Sequence, residues 1–507
     1  MKLLTSSLCV LWLCAPAGAQ TPSETVAAAR KALGWEALLG SGAALEVEGA
    51  ASLLETEARE RFVFDGRGRF LDEFDGPLAQ VSGSDGTTIW ARDWNGVAHA
   101  QVLGDRARTE VAALLLSGGW CAPFAPLTFA EGTGAGEGER ALAFTHADGI
   151  LSGTLVLDAT THWPLRARFG IDSTPTDYTF SGHATHAGFV FPGRVVYGQH
   201  GLEQSLTVTR VTRRTSVEDT LFAPRLALSG ARFLHDVPPA LEVKRVPSGH
   251  LLVHPLVDGQ DVGWFIFDTG AGTNCLALDA AEQLELEPFG AIGARGIGGT
   301  VKSPFFRAKT LTLGPLELEA PILLGLDLAF LAQHFGVEVG GILGYELLSR
   351  CVAELDFSGP SIALHAPAAY TLPAGGTWET TELYARHPHV RGAFEGHEGW
   401  FKIDTGAAGD TVTLHYQVVA DLELLTGRET HAAQSGGVGG NVQTRSGPLA
   451  SFRLGTLDFG PIEAGFSLED TGAFSDDYVF GNVGGKLFAP YRLVFDYPGS
   501  RMGFVKR

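Results

Sequence analysis

The sequence predicts a mainly β protein: two related β-rich units in the C-terminal half, preceded by an antiparallel β-sheet domain with a short helix. Three observations carry that expectation. The first is composition: the 507 residues include 66 Gly and 31 Phe but only 2 Met, with 45% hydrophobic and 19% charged residues. That is enough apolar material for several cores, with a bias towards strands and turns over long helices. The second is a run of two-residue turn signals through the N-terminal half. The third is a set of landmarks that occurs twice in the C-terminal half. At roughly 150 residues per domain, the length corresponds to about three domains.

The elements follow in chain order. Lys2, the apolar stretch 3–14 and the small-residue pattern Ala17-Gly18-Ala19 before Gln20 read as a leader, residues 1–19, cleaved on export to a periplasm or beyond. The stretch is too short for a bilayer span, and no later run is long enough. Leu13 in front of Cys14 argues against lipid anchoring. An N-terminal domain is expected over 20–233. Residues 24–33 read as a helix, while 61–64 and 153–157 alternate as strands do. Asp65-Gly66, Asp85-Gly86, Asn95-Gly96 and Asp148-Gly149 are hairpin signals, so a large antiparallel sheet, curved or half closed, is expected. Residues 132–138 read as a glycine-rich loop, and 234–244, with Pro238-Pro239, as a linker.

The repeat then organises the rest. Gly263-Trp264-Phe265-Ile266-Phe267-Asp268-Thr269-Gly270-Ala271 returns 136 residues later as Gly399-Trp400-Phe401-Lys402-Ile403-Asp404-Thr405-Gly406-Ala407. Gly296-Ile297-Gly298-Gly299 returns as Gly437-Val438-Gly439-Gly440, and the stretch 341–357 is echoed by 481–497. Three landmarks in one order at nearly constant offset divide this region into units 245–370 and 371–507. Residues 265–267 and 401–403 read as short strands running into tight loops, 342–350 as a short helix and 352–357 as a strand.

Charge and motif content exclude much. Lys plus Arg is 37 against 57 Asp plus Glu, a formal net charge of −20, which repels nucleic acid and anionic lipid. There is no G-x-S-x-G and no H-E-x-x-H. Cys121, Cys275 and Cys351 remain after the leader. Their spacing fits neither a disulfide framework nor a zinc site, although a Cys275–Cys351 bridge stays open. The close pairs His183/His186 and His387/His389 lack a third ligand pattern. No metal and no cofactor are expected.

A hydrophobic strand ending in Asp-Thr-Gly-Ala, a later glycine-rich hairpin and an apolar-apolar-Gly element, all present twice, resemble the retropepsin-like aspartic proteases over residues 245–507. The resemblance implies two acid-protease β-barrel units paired as an intramolecular pseudo-dimer, so a monomer acting on a protein or peptide substrate. Asp268 and Asp404 would be the catalytic pair, sharing one proton because two carboxylates so close cannot both stay ionised. Thr269, Gly270, Ala271, Thr405, Gly406 and Ala407 would support the loops. Gly296, Ile297, Gly298 and Gly299 with Gly437, Val438, Gly439 and Gly440 would be flap tips. Ile342-Leu343-Gly344 matches the apolar-apolar-Gly element, whereas Asn482-Val483-Gly484 starts with a polar residue and predicts looser packing under Asp404. Ala271 and Ala407 stand where pepsin-like enzymes carry a hydroxyl, which predicts activity nearer mild acidity or neutrality. Asp410 is a candidate contact for a substrate amine or a solvated surface residue. The N-terminal domain resembles periplasmic lipoprotein-carrier domains in pattern alone. The alternative function is a non-catalytic periplasmic protein that holds a peptide or lipid.

Overall fold

The computed structural model describes residues 20–171, 175–199 and 202–507; the expected leader, with Cys9 and Cys14, lies outside them. Helix α1 (Pro22–Leu33) starts at a capping box between Thr21 and Glu24 and stops at Gly34, whose φ is 84°. The box satisfies two backbone donors that a helix start leaves open, and glycine takes the left-handed angle without strain. A single 13-stranded antiparallel sheet follows, from Ala98–Ala100 at one edge to Leu127–Glu131 at the other. All four turn signals lie between consecutive paired strands. Three of their aspartates bond the backbone two residues on: Asp65 accepts from Arg67 N–H at 2.9 Å, Asp85 from Thr87 at 2.8 Å and Asp148 from Ile150 at 2.9 Å, a local bond that stabilises the turn.

Helix α2 (Leu103–Ser117) is an element the sequence reading did not find. Its buried Ala107, Val111 and Leu115 recur at i+4, one helical face, and join α1 against the sheet in a core with Phe62, Phe64 and Phe144.

The C-terminal half holds two eight-stranded sheets with matching local topology. In the first unit, β1 (Leu251–Val253), β2 (Trp264–Phe267), β3 (Cys275–Ala277) and β4 (Val339–Leu343) pair in the order β1-β2-β4-β3, with β2 parallel to β4 and the others antiparallel. In the second unit, β5 (His387–Phe394), β6 (His397–Asp404), β7 (Val412–Leu414) and β8 (Gly481–Gly484) repeat that pattern as β5-β6-β8-β7. The expected helix over 342–350 is shorter than anticipated: Ile342 and Leu343 belong to β4, and only Tyr345–Leu348 is helical. Pairing with β2 on one side and β3 on the other takes the backbone bonds that a helix would need.

A five-stranded sheet couples the units. Val352–Asp356 from the first pairs antiparallel with Tyr491–Asp496 from the second, so the pseudo-dimer is held by backbone bonds as well as by chain connection. The segment expected as a linker lies along the first unit: Leu234 N–H bonds Pro315 O at 2.7 Å and Leu241 N–H bonds Ile362 O at 2.9 Å. Ala231–Phe233 pairs with Leu316–Glu319 before it. One core runs through both units and takes in Leu53, Leu54, Leu78 and Val97 from the N-terminal sheet. Cys121, Cys275 and Cys351 are buried and free. No helix among the described residues is long and apolar enough to cross a membrane.

Candidate active site

Strands β2 and β6 each end at an Asp-Thr-Gly loop, and the structure brings the two loops together. Thr269 and Thr405 cross-bond: Thr269 N–H donates to Thr405 Oγ1 at 2.9 Å and Thr405 N–H to Thr269 Oγ1 at 3.0 Å. Each hydroxyl then donates onward to the other strand, Thr269 to Ile403 O at 2.7 Å and Thr405 to Phe267 O at 3.0 Å. Both threonines are buried, so four backbone groups depend on these two side chains. Asp268 Oδ1 accepts from Gly270 N–H at 2.6 Å and, across the interface, from Gly406 N–H at 3.0 Å. Asp404 Oδ1 accepts from Ala407 N–H at 3.1 Å. A Cβ on Gly270 would strike the Asp404 carboxylate, and one on Gly406 would strike that of Asp268. Only glycine lets each backbone approach the opposite acid.

Burial, and then the charge of Asp404, push the Asp268 carboxyl up to about 7, against the pull of Gly270 N–H, Lys402 and Gly406 N–H. Burial is therefore the leading cause of the shift. Two histidines flank the loops in matching positions. His250 Nε2 donates to Gly406 O at 2.7 Å while its Nδ1 accepts from Ser248 Oγ at 2.8 Å. His387 makes the corresponding bond to the Gly270 backbone, and burial holds both rings below their ordinary pKa. They are neutral donors that stiffen the loop carbonyls.

The two glycine-rich hairpins meet tip to tip. Pro288–Gly296 turns into Gly299–Arg307, and His431–Gly437 into Gly440–Leu454. Gly298 N–H bonds Val438 O at 3.2 Å. A Cβ on Gly296 would meet the Val438 carbonyl, and one on Gly298 would meet Gly439.

The second unit departs from the first where sequence reading saw only a polar substitution. Lys402 is buried with its Nζ 3.2 Å from Asp404 Oδ2, and Asn482 Nδ2 lies 3.5 Å from the same oxygen. His415 Nε2 donates to Asn482 Oδ1 at 3.0 Å. The packing expected to be looser is instead hydrogen-bonded, and Asn482 is 4% exposed. Lys402 stands opposite Ile266 in the sequence repeat. A lysine inside an apolar strand was the available signal, and only the fold shows what it faces. Asp410 is exposed. No group of three or more His, Cys, Asp or Glu among the described residues is placed to hold a metal ion. Two close carboxylates, one holding a proton at neutral pH, can remove a proton from water and give another to a carbonyl oxygen.

Residues 253–347 and 390–476 match the sequence profile of a family described as aspartyl protease. No curated protein sequence matches the chain. Among solved structures, an aspartic proteinase from Irpex lacteus is 12% identical, with 54% of this chain and 97% of that one covered and a TM-score of 0.34. A LolA superfamily protein from Nitrosomonas europaea is 13% identical, covering 40% of this chain and 98% of that one at a TM-score of 0.29.

Proposed function

The paired C-terminal units belong to the retropepsin-like aspartyl protease family, and on that premise we propose that the protein is an exported aspartic endopeptidase. Asp268 and Asp404 act as one acid/base pair on a water that attacks the scissile peptide carbonyl. The observation that carries this reading is the reciprocal threonine bonding that holds two Asp-Thr-Gly loops face to face, with a Gly406 N–H from one unit on the carboxylate of the other. A protein that only held a peptide or lipid would have no use for two carboxylates at such close quarters, one of them forced to keep its proton. In this reading Thr269 and Thr405 keep the loops in register. Gly270, Ala271, Gly406 and Ala407 supply backbone around the acids, and the hairpin tips at 296–299 and 437–440 close over substrate. Covalent linkage of the units replaces dimerisation by raising the effective concentration of one half for the other. The export signal proposed at the N-terminus delivers the enzyme to peptides outside the cytoplasm.

The test is cleavage of a mixed peptide library by the mature protein from about pH 3 to 8, with D268N and D404N beside it. Each single variant is expected to lose roughly a thousandfold or more in kcat/KM, because neither acid works alone. A variant that keeps full activity would sink the dyad.

A further inference from the structure

The two units share strand pairings, so their residues can be compared by register. One row crossing the first sheet below its Asp-Thr-Gly loop is Leu252, Ile266, Ile342 and Cys275. The row in the same place in the second sheet is His389, Lys402, Asn482 and Thr413. All eight residues are buried. Four apolar positions have become polar in one unit alone, where each polar group costs free energy unless it is paired. Three of the four are paired, His389 with the His387 carbonyl, Asn482 with His415 and Lys402 with Asp404, and the pairing leads to the acids. Residues two apart on a strand share a face, which points Lys402 at Asp404, and the Asn482 amide approaches the same oxygen.

We propose that Lys402 pins the negative charge of the pair on Asp404, so that Asp268 is the acid and Asp404 the base. This rests on the endopeptidase reading above. The backbone alone favours the reverse: Asp268 accepts two N–H groups and Asp404 one. A full cation on Asp404 outweighs one extra backbone dipole. With Asp268 Oδ1 occupied by both donors, Oδ2 carries the proton. The other titratable groups around the pair do not supply a competing cation. Burial makes His250 and His387 neutral, and lowers His389 to about 3 and His415 to about 4. Asp410 is exposed at its edge, yet the protein around its carboxyl and the nearby Asp404 charge raise it, and burial raises the Tyr497 phenol, so neither adds a cation.

Asp404 takes a proton from water as its oxygen bonds the carbonyl carbon, while Asp268 gives its proton to the carbonyl oxygen. On collapse, Asp268 recovers a proton from a hydroxyl of the tetrahedral centre. Asp404 protonates the leaving amine as the C–N bond breaks, and the pair returns to its starting state. Lys402 is a positioning residue that acts through Asp404.

The experiment is carbon-13 NMR titration of side-chain-carboxyl-labelled aspartate in the full mature protein, with the two resonances assigned by their loss in D268N and D404N. In the wild type the carboxyl that titrates near 7 is expected to be that of Asp268. In K402M the later proton is expected to move to Asp404, and both steps to shift to higher pH because a cation is gone. The acid limb of cleavage is expected to move up by about one pH unit with it, a tenfold change in activity at fixed pH on that limb. The proposal is overturned if Asp404 is the later carboxyl in the wild type, a result that does not depend on K402M folding, or if K402M leaves the order unchanged. The peptidase reading fails separately. Protein that titrates as described but cuts no peptide keeps the charge assignment and loses the activity, whereas active protein with the opposite order does the reverse.

Discussion

Thr269 Oγ1 is a donor to one buried backbone group and an acceptor from another, so its removal is felt twice. T269V, similar in shape but without the hydroxyl, leaves Ile403 O and Thr405 N–H unpaired. We expect a loss of about 1–3 kcal/mol per orphaned group, read as a lower urea midpoint at unchanged slope, with T269S close to wild type. Asp268 sets a pH dependence whose sign follows from its raised pKa. The folded protein holds this proton more tightly than the unfolded chain, whose value is near 4. The resulting stabilisation is complete below about pH 4 and is lost as pH rises through about 7. Thermal unfolding from about pH 4 to 8 is therefore expected to show wild type losing more stability than D268N. Asp72 is also pushed up to about 7 by burial, but it is common to both proteins and cancels in the difference. Cleavage is expected to decline above about pH 7 for the same reason, as the pair loses its shared proton.

At the scale of elements, the hairpin tips are constrained by close backbone approach rather than by side-chain chemistry. A methyl at Gly298 would run into Gly439 of the opposite hairpin, and the bond from Gly298 N–H to Val438 O would be displaced. G298A is expected to reduce kcat/KM by about tenfold, equal to about 1.4 kcal/mol in the transition state, with the carboxyl titrations unchanged. An effect on those titrations would mean that the tips shape the acid pair itself rather than cover it. Strands β4 and β8 show how one element carries different chemistry. Each runs parallel to the strand that ends in Asp, yet Ile342 fills a dry layer and Asn482 bonds His415. Strand pairing fixes where a side chain points, and residue type then decides what it does there.

At the scale of the whole molecule, the N-terminal sheet is built into the protease half through polar clamps. Asn95, at a hairpin turn, accepts from Ile322 N–H at 2.8 Å and donates to Ile322 O at 2.9 Å and to Glu346 at 3.3 Å. Arg350 bonds the Asn95 carbonyl. Tyr345 OH meets His99 Nδ1 at 2.6 Å, and Ala385 N–H bonds Asp105 at 2.6 Å. The second of these contacts fixes the start of the segment that carries His387. N95A is expected to cost about 2 kcal/mol, seen by calorimetry as a lower Tm. The wild type is expected to melt in one transition because each core borrows from the other half: the protease core takes in Leu53, Leu54, Leu78 and Val97, and the N-terminal core takes in Tyr384, Tyr478 and Val479. Two separated transitions in the wild type would show that the halves are independent.

The sequence by itself determined the local and the repeated features: the turns at Asp65, Asp85, Asn95 and Asp148, helix α1 and the strands ending at Asp268 and Asp404. These depend on short-range backbone preferences and on a pattern present twice, both of which are written along the chain. Tertiary structure decided the rest. The period of α2 was there to be read but lies between strand-like segments, and residues 342–343 became strand because β2 and β3 claimed their backbone. The partner of Lys402 is two residues away in the chain, but its significance depends on strands that bring His389, Asn482 and Thr413 beside it from 13, 80 and 11 residues away. A buried charge is governed by what surrounds it, and those surroundings exist only once the sheet has closed.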